Sequence, residues 1–409
     1  MDDAPLPTIF ELTPLNPNYR DDPHAVLGDL RARCPVHHDA QSGSFILTRY
    51  EDVRPLVSDL TLWRDPIRAE PGALLQRRFA DLPEGVPRSE STSILMLDDP
   101  DHGRIRKPLA QALYARAARF RPEVERIVGE ALDDLDTSGP FDLMSGFCVR
   151  VPIDVIASIL GVDHARLGDF RDWSEGVIQS LNPFRNEEQT AHMERASEAL
   201  NAYFLEIIAQ RHAEPGDDLI SDMTRLQAGG APLSDTELLI NLSALLIGGN
   251  LTTTDLIGNA VRLLLLNPGE LAKLQADPGL INAVVEETLR FEPPVDSTAR
   301  IASSDIEVGG CPVKATQSLM FHLRAANRDP AAFEAPDRYD VSAKRRPHVA
   351  FGGGAHICIG APLARLEAQV ALLRLFERFP ALRLADPDAA PTWRALPFFR
   401  GLERLELVA

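Results

Sequence analysis

The strongest chemical signal in the sequence is Cys358, in the segment Phe351-Gly-Gly-Gly-Ala-His-Ile-Cys-Ile-Gly-Ala-Pro-Leu-Ala-Arg365. Apolar residues at spacings of three and four follow the cysteine and predict a helix that begins just after it. The free N–H groups and the positive dipole end at a helix start favour thiolate over thiol. The glycines let the backbone approach a flat cofactor closely. A thiolate here could attack a substrate or bind a metal.

The other three cysteines, Cys34, Cys148 and Cys311, lie in ordinary sequence contexts. A free cysteine in such a context is usually a small buried hydrophobic residue. No two of the four cysteines are close in sequence, so there is no CxxC zinc or redox pair and no dense disulfide framework.

Composition limits the classes of partner. The 409 residues are 44% hydrophobic and 25% charged, which is typical of a globular protein with a large core, and the net charge is −18. This excess of acid makes nucleic acid and membrane surfaces unlikely partners. The N-terminus has no basic and apolar targeting pattern, and no run of about 20 apolar residues exists. We therefore expect a reduced, cytoplasmic protein. We also expect it to be a monomer.

The pattern along the chain predicts a mainly α protein with small β-sheets, an α+β fold without regular βαβ alternation. Residues 63–101 are rich in proline and predict a long binding loop or lid. The predicted elements include a strand at 44–48, a helix at 280–291, short strands within 295–320 that turn at Gly309-Gly310, and a terminal strand at 401–407.

The longest predicted helix begins at Ser234, which has capping-box spacing to Glu237, and ends at Asn267-Pro268. At 1.5 Å per residue it spans about 50 Å, so we expect it to be central. In its middle, Gly248-Gly249-Asn250-Leu251-Thr252-Thr253 contains poor helix formers. Such a break in local rules indicates either a functional site or a close helix crossing.

The segment Phe351-x-x-Gly354-x-His356-x-Cys358-x-Gly360 resembles the haem-ligand signature of the cytochrome P-450 superfamily. The resemblance implies the P-450 fold, with the long helix over the haem, as a single domain over residues 1–409. It implies that Cys358 is the axial thiolate ligand of haem b. A thiolate ligand favours O–O cleavage over oxygen carriage.

Further matches occur in the family's order. Glu287-Thr-Leu-Arg290 resembles the family's E-x-x-R pair, and Arg338, in Pro336-Asp-Arg-Tyr, resembles the arginine that completes a buried Glu–Arg–Arg cluster. By resemblance, Glu287, Arg290 and Arg338 stabilise the core behind the cysteine loop. Alone, a Glu–Arg pair at i,i+3 is an ordinary helix pair.

Four cations are candidates to bind the two haem propionates. His102 and Arg106 resemble the family's H-x-x-x-R pair on one helical face, Arg300 follows Pro293-Pro294 as the family's arginine does, and His356 belongs to the signature. Any one of them is also compatible with an ordinary surface cation, whereas together they predict a propionate clamp.

In the long helix, the family carries A/G-G-x-D/E-T-T with a local distortion that forms an oxygen-binding groove. The resemblance places Gly249 at the haem and makes Thr252 the hydroxyl residue that steadies dioxygen and helps to bring protons. Where the family usually has an acid, this chain has Leu251, which cannot relay a proton. Asn250 or Asp255 could take the place of the missing acid. The departure from the family pattern indicates altered proton delivery, loss of electrons to hydrogen peroxide, or use of peroxide as the oxidant.

We expect electrons from separate proteins, a ferredoxin with an NAD(P)H-dependent reductase, because no flavin or iron–sulfur domain is apparent. A basic docking face is expected from seven residues: Arg104, Lys107, Arg116, Arg119, Lys344, Arg345 and Arg346. The substrate pocket is expected to be apolar and to be formed by residues 63–97, the helices of about 165–212, Leu245, Gly249, Val295 and the turn at 396–399.

The leading hypothesis is therefore a haem-thiolate monooxygenase that inserts one oxygen atom from O2 into a small-to-medium, mainly hydrophobic substrate. The alternatives are a peroxide-driven peroxygenase or oxidative coupling enzyme, which Leu251 motivates, and a non-catalytic haem-binding or gas-sensing protein.

Overall fold

A computed structural model describes residues 5–77, 85–182 and 185–409. Contacts within the chain divide it into two compact units. Unit 1 comprises Met1–Gly85, Ala283–Cys358 and Trp393–Gly401, and unit 2 comprises Val86–Asn282, Ile359–Thr392 and Leu402–Ala409. The single domain over 1–409 stays a prediction.

The described residues are mainly helical with small sheets, as the sequence predicts. Their α-helices are α1 (Pro17–Asp21), α2 (Pro23–Arg33), α3 (Tyr50–Leu56), α4 (Leu74–Arg77), α5 (Asp101–Ala117), α6 (Arg121–Asp133), α7 (Arg150–Leu160), α8 (Leu167–Ile178), α9 (Glu187–Ala213), α10 (Leu219–Ala228), α11 (Asp235–Leu266), α12 (Pro268–Ala276), α13 (Ile281–Phe291), α14 (Leu323–Asn327) and α15 (Ala361–Arg378). Their β-strands are β1 (Val36–Asp39), β2 (Ser44–Leu47), β3 (Phe141–Asp142), β4 (Ser297–Ile301), β5 (Ile306–Val308), β6 (Cys311–Val313), β7 (Ser318–His322), β8 (Arg383–Leu384) and β9 (Glu406–Val408). Among these helices, none combines the length and apolar character needed to cross a bilayer.

Unit 1 is built around a four-stranded sheet in the order β1-β2-β7-β4. Strands β2 and β7 pair in parallel, and the outer pairs are antiparallel. Leu47 and Phe321 enter one apolar cluster, whereas Ile46 and Met320 enter another. Because neighbouring side chains on a strand point to opposite faces, both faces of the sheet are covered. Strands β5 and β6 form a hairpin at the predicted glycine turn.

Unit 2 contains α11, whose bounds confirm the sequence prediction. The Ser234 side chain accepts from the Glu237 N–H, and the Glu237 carboxylate accepts from the Ser234 N–H. These reciprocal bonds satisfy two donors at the helix start. Helix α11 packs against α7, α8, α9 and α15 within this unit, so it is the central helix of unit 2.

The prediction of a terminal strand over 401–407 is wrong for residues 401–405. Only Glu406–Val408 forms β9, which lies between β3 and β8. Before it, the Glu403 N–H donates to the Thr392 carbonyl at 2.9 Å in a loop contact. Alternation alone does not distinguish a strand from an extended loop that has a backbone partner at one residue.

A buried polar network lies beside the sheet of unit 1. The Tyr19 hydroxyl donates to Asp296 at 2.9 Å and lies 3.2 Å from His322 Nε2. The Ala325 N–H faces His322 Nδ1 at 3.4 Å, an arrangement that suits a neutral ring. Burial and the neighbouring Arg324 guanidinium lower the pKa of His322 to about 4, although Asp296 opposes this shift.

This pKa predicts a pH-dependent stability. Between the unfolded value of 6.5 and the folded value of about 4, the unfolded state binds a proton that folded His322 does not, so stability falls as the pH is lowered. His322→Asn keeps a helix cap for α14 and removes this titration. We expect the unfolding free energy of the parent protein to fall more steeply, by up to about 1.4 kcal/mol per pH unit. Urea unfolding at pH 7.5, 6 and 5 measures both slopes, and equal slopes would contradict the prediction.

Candidate active site

The cysteine loop is closed by its own backbone. The Cys358 N–H donates to the Phe351 carbonyl at 3.0 Å. Gly352 and Gly354 have φ of +69° and +63°, a region that favours glycine. Cys358 is partly exposed, and α15 begins three residues later. The loop therefore presents a reachable sulfur just before a helix start.

The cysteine loop lies directly against Ser58, two residues after the end of α3. A Cβ atom added to Gly354 would meet the Ser58 carbonyl oxygen at 2.9 Å and the Ser58 Cα atom at 3.0 Å. A Cβ atom added to Gly353 would meet Ser58 Oγ at 2.3 Å. Both approaches are closer than real Cβ atoms make, so Gly353 and Gly354 are required by packing.

Two of the other cysteines have environments that favour the neutral thiol. Burial raises the pKa of Cys148 well above its ordinary value and also raises that of Cys34. The thiols of Cys34 and Cys311 both point to the Val36 carbonyl, at 3.4 and 3.8 Å. Cys358 is therefore the candidate for thiolate chemistry.

Two further predicted residues belong to unit 1 with Cys358. Arg300 lies on β4, is 4% exposed, and donates to the Val57 carbonyl at 3.1 Å. Val57 is adjacent to Ser58, so Arg300 and the cysteine loop meet the same end of α3. His356 ends the short 3-10 turn that begins at Gly354 and is partly buried. The structure thus brings Arg300 and the loop together.

His102 and Arg106 lie one turn apart at the start of α5 in unit 2. His102 is 3% exposed, and its Nδ1 atom is 3.8 Å from Asp99 Oδ1. Arg106 is partly buried. Helices α5 and α11 both pack against α15 within this unit. The two predicted cations are therefore on a helix that contacts the helix following Cys358 in the chain.

The middle of α11 has an open position at Gly248. This glycine is exposed, and within the described part of the chain a Cβ atom added to it would meet nothing within 4 Å. A Cβ atom at Gly249 would lie 3.8 Å from Ile156. The Thr252 hydroxyl donates to the Gly248 carbonyl at 2.7 Å. Helix α11 is an α-helix over its whole length. The local distortion that the family resemblance implies is therefore not seen as a change to another helix type.

The residues around Thr252 that could replace the missing acid are buried. Leu251 is 7% exposed, and Asn250 is buried within 3.5 Å of the Thr254 hydroxyl. Asp255 is fully buried and, after burial itself, is among the groups that raise the pKa of Cys148. The buried side chain next to Thr252 on its N-terminal side is therefore an apolar one.

Comparison with known proteins identifies the family. The family model Cytochrome P-450 matches residues 279–392. Cytochrome P-450 107B1 of Saccharopolyspora erythraea is 39% identical over 88% of each chain. The 6-deoxyerythronolide B hydroxylase of the same organism is 35% identical over 95% of this chain and 96% of its own length. The structure of Mycobacterium smegmatis CYP164A2 with econazole bound has a TM-score of 0.85 at 32% identity, and covers 97% of this chain and 98% of that chain.

The chain belongs to the cytochrome P-450 family. Its relatives include P-450 hydroxylases and oxygenases. The predicted fold and activity class are confirmed: this P-450 is a haem-thiolate monooxygenase that acts on a small-to-medium organic substrate and uses O2 and redox partners.

The buried cluster of this P-450 differs from the sequence prediction in its second arginine. Arg290 donates to both Glu287 oxygens at 2.7 and 2.8 Å. The Arg338 side chain is 69% exposed and pairs with Asp340 instead. Arg345 takes its place, with its guanidinium 3.3 Å from Glu287. Arg338 contributes only its carbonyl oxygen, which accepts from Arg290, and the sequence motif did not distinguish these two contributions.

Hydrogen bonds connect this cluster to the cysteine loop within unit 1. Arg290 donates to the Asn327 carbonyl at 3.1 Å. The Asn327 side-chain oxygen accepts from the Val349 N–H at 2.8 Å. The Val349 carbonyl accepts from the Gly352 N–H at 2.9 Å. Sequence reasoning missed Asn327, for which the motifs gave no signal.

The expected docking face is also partly wrong. Arg104 pairs with Glu237 at 2.6 Å, and Arg116 is 5% exposed and pairs with Asp222 at 2.6 Å. Arg119 is exposed but lies 3.1 Å from Asp217. Arg345 belongs to the buried cluster. Besides Arg119, the exposed cations of the predicted set are Lys107, Lys344 and Arg346.

Some residues of the expected pocket contact one another within unit 1, and others do so within unit 2. In unit 1, Val295 pairs through its backbone with Phe399, at the predicted turn. In unit 2, α8 and α9 pack against α11, and Ile94 donates its N–H to Asn241 at 3.0 Å. Residues 78–84 of the predicted 63–97 loop lie outside the described residues.

The cluster geometry predicts that Arg345 contributes more to stability than Arg338. Arg345→Gln removes a charged partner from the buried Glu287 carboxylate and should lower the free energy of unfolding by about 1–3 kcal/mol. Arg338→Gln changes an exposed pair and should stay within about 0.5 kcal/mol. Chemical denaturation of both variants tests this order. A larger loss for Arg338→Gln would restore the sequence-based assignment.

Proposed function

We propose that Cys358 supplies the thiolate ligand of haem b in a monooxygenase that places one atom of O2 into a mainly hydrophobic substrate. The observation that carries the proposal is the closed glycine loop, which holds a partly exposed cysteine at the start of α15. Helix-start N–H groups and the dipole stabilise a thiolate there. When bound, a haem with this ligand supplies dioxygen binding and O–O cleavage.

Three observations support the fit of a haem to these residues. Cys358 provides a reachable sulfur. Gly353 and Gly354 have no side chains, so the loop backbone lies directly against Ser58. Gly248 leaves open space beside α11 that a cofactor or its ligand could occupy.

His102, Arg106, Arg300 and His356 are proposed to hold the propionates, since cations that donate hydrogen bonds pair strongly with carboxylates. Arg300 is the best supported of the four, because it is buried and held by the carbonyls of Ala299 and Val57. A fixed guanidinium loses little further freedom when it binds a carboxylate.

Thr252 is proposed to hold a proton near the reacting oxygen, with Gly249 leaving room beside it. In the resting chain its hydroxyl donates to the Gly248 carbonyl, so its oxygen keeps its acceptor positions. Rotation of the hydroxyl would let it donate instead toward the open space at Gly248. The buried Leu251 cannot pass a proton to Thr252.

The electron donors are proposed to be a ferredoxin and an NAD(P)H-dependent reductase, acting on a cytoplasmic monomer. Lys107, Lys344 and Arg346 are exposed cations that suit an acidic partner. A peroxide-driven peroxygenase or oxidative coupling enzyme is the second candidate, and the apolar Leu251 is the observation that favours it.

Replacing the proposed ligand tests its identity. Cys358→His should supply a nitrogen ligand in place of the sulfur and lose the thiolate-type absorption of the reduced carbon monoxide complex. The matched control is Cys34→Ser, which alters another partly exposed cysteine and should keep that spectrum. A thiolate-type spectrum in purified Cys358→His would overturn the assignment.

The missing acid gives a second test. Leu251→Asp should raise the fraction of electrons that reach product and lower the fraction released as hydrogen peroxide, because an acid beside Thr252 relays protons. Leu251→Asn has a similar shape without the acid and is the control. The readout is peroxide formed per NADPH consumed, with a ferredoxin system and a compound that shifts the Soret band. Equal peroxide yields in parent and Leu251→Asp would show that proton delivery does not depend on this position.

A further inference from the structure

The N-cap and first turn of α11 bind residues 90–104, which lead into α5 and include its first turn. The Ser234 hydroxyl donates to Glu90 at 2.8 Å, and Glu237 pairs with Arg104 at 2.6 Å. The Arg104 guanidinium lowers the pKa of Glu237 to about 2, so this carboxylate stays charged at neutral pH. The two ends of the 90–104 segment are therefore tied to one helix.

Between these ends, Asn241 binds the middle of the segment. Asn241 is 1% exposed, and its side-chain oxygen accepts from the Ile94 N–H at 3.0 Å. Its amide nitrogen donates to the Glu237 carbonyl one turn earlier, at 2.8 Å. Since each end of the amide has a partner of the required type, the side chain has one favourable orientation. A buried residue that uses both groups is a specific anchor for Ile94.

Asn241 lies on the same face of α11 as the open position at Gly248. Gly248 and Thr252 follow Asn241 by seven and eleven residues, which at 3.6 residues per turn puts all three within about 40° of one another. Seven residues span about 10 Å along the axis. The segment held by Asn241 is therefore about two turns of α11 from the open position at Gly248.

The held segment presents an apolar side chain outward. Ile94 and Leu97 are buried at 6% and 1% exposure, whereas Leu95 between them is 49% exposed. A bond to the Ile94 backbone fixes the position of Leu95, because the two residues are adjacent. The anchored segment thus carries an exposed apolar side chain next to the residue that Asn241 holds.

We propose that Asn241 is a specificity-determining positioning residue, which holds Ile94–Leu97 so that the segment limits the size of ligand that reaches the open position at Gly248. The inference rests on the proposed function, since it takes that position as part of the proposed ligand site. It assigns no chemical step to Asn241.

The test uses azole binding to the holoenzyme, with imidazole as the small probe and econazole as the large one. In Asn241→Leu both hydrogen bonds are lost while side-chain size is kept. We expect econazole to associate and dissociate about two- to tenfold faster, the range expected for one neutral hydrogen bond, and imidazole to stay within about twofold. Stopped-flow absorbance of the Soret band gives the four rate constants.

Two variants separate positioning from general damage. Asn267→Leu removes the same kind of bond, from Asn267 to the carbonyl four residues earlier, at the far end of α11, and should leave both azoles unchanged. In Asn241→Asp the carboxyl, protonated by burial, can make both original bonds and should restore the parent rates. Should Asn241→Leu lose its haem, Asn241→Ala takes its place in the same comparison.

The outcomes are distinct. Faster econazole exchange with unchanged imidazole, together with faster amide hydrogen exchange in residues 91–97, supports the proposal. Faster amide exchange with both azoles unchanged would reduce Asn241 to a structural tie and overturn it. If neither azole shifts the Soret band of the parent holoenzyme, the proposed haem site fails first, and this inference fails with it.

Discussion

The contact between the cysteine loop and Ser58 is the constraint on which the rest of the candidate site depends. Gly353 and Gly354 lie so close to Ser58 that a single added Cβ atom would overlap it. The loop therefore has one place to lie, and its backbone bond from Cys358 to Phe351 fixes where the sulfur emerges. A reactive or metal-binding cysteine needs such a defined position, because the geometry of a ligand bond is strict.

Polar side chains extend this constraint through unit 1. Arg300 is bound to Val57, next to Ser58, so a candidate propionate ligand and the cysteine loop share one support. On the other side, hydrogen bonds run from Arg290 through Asn327 to Val349 at the start of the loop. Because the Arg290–Glu287 pair is buried, removing either partner leaves a buried charge without its closest partner. The candidate site is thus held by groups that lie outside the cysteine loop itself.

The sequence predicted the elements whose signals are local. The capping box at Ser234 and the end at Asn267 set the bounds of α11, and the glycine turn set the β5–β6 hairpin. It could not distinguish Arg338 from Arg345, because which side chain turns inward depends on tertiary packing. The same reason explains why Arg104 and Arg116, predicted as docking cations, pair inside the chain. Motifs found the candidate ligands, whereas the Asn241 and Asn327 amides that support their surroundings have no motif.

X-ray absorption at the iron edge of the purified ferric holoenzyme tests directly whether Cys358 binds the iron. We predict one sulfur atom bound to iron in the parent protein and in a variant with Cys34, Cys148 and Cys311 all changed to serine. We predict that this sulfur is lost in Cys358→Ser. Iron that keeps its sulfur in Cys358→Ser, or that has none in the parent protein, would show that Cys358 is not the ligand.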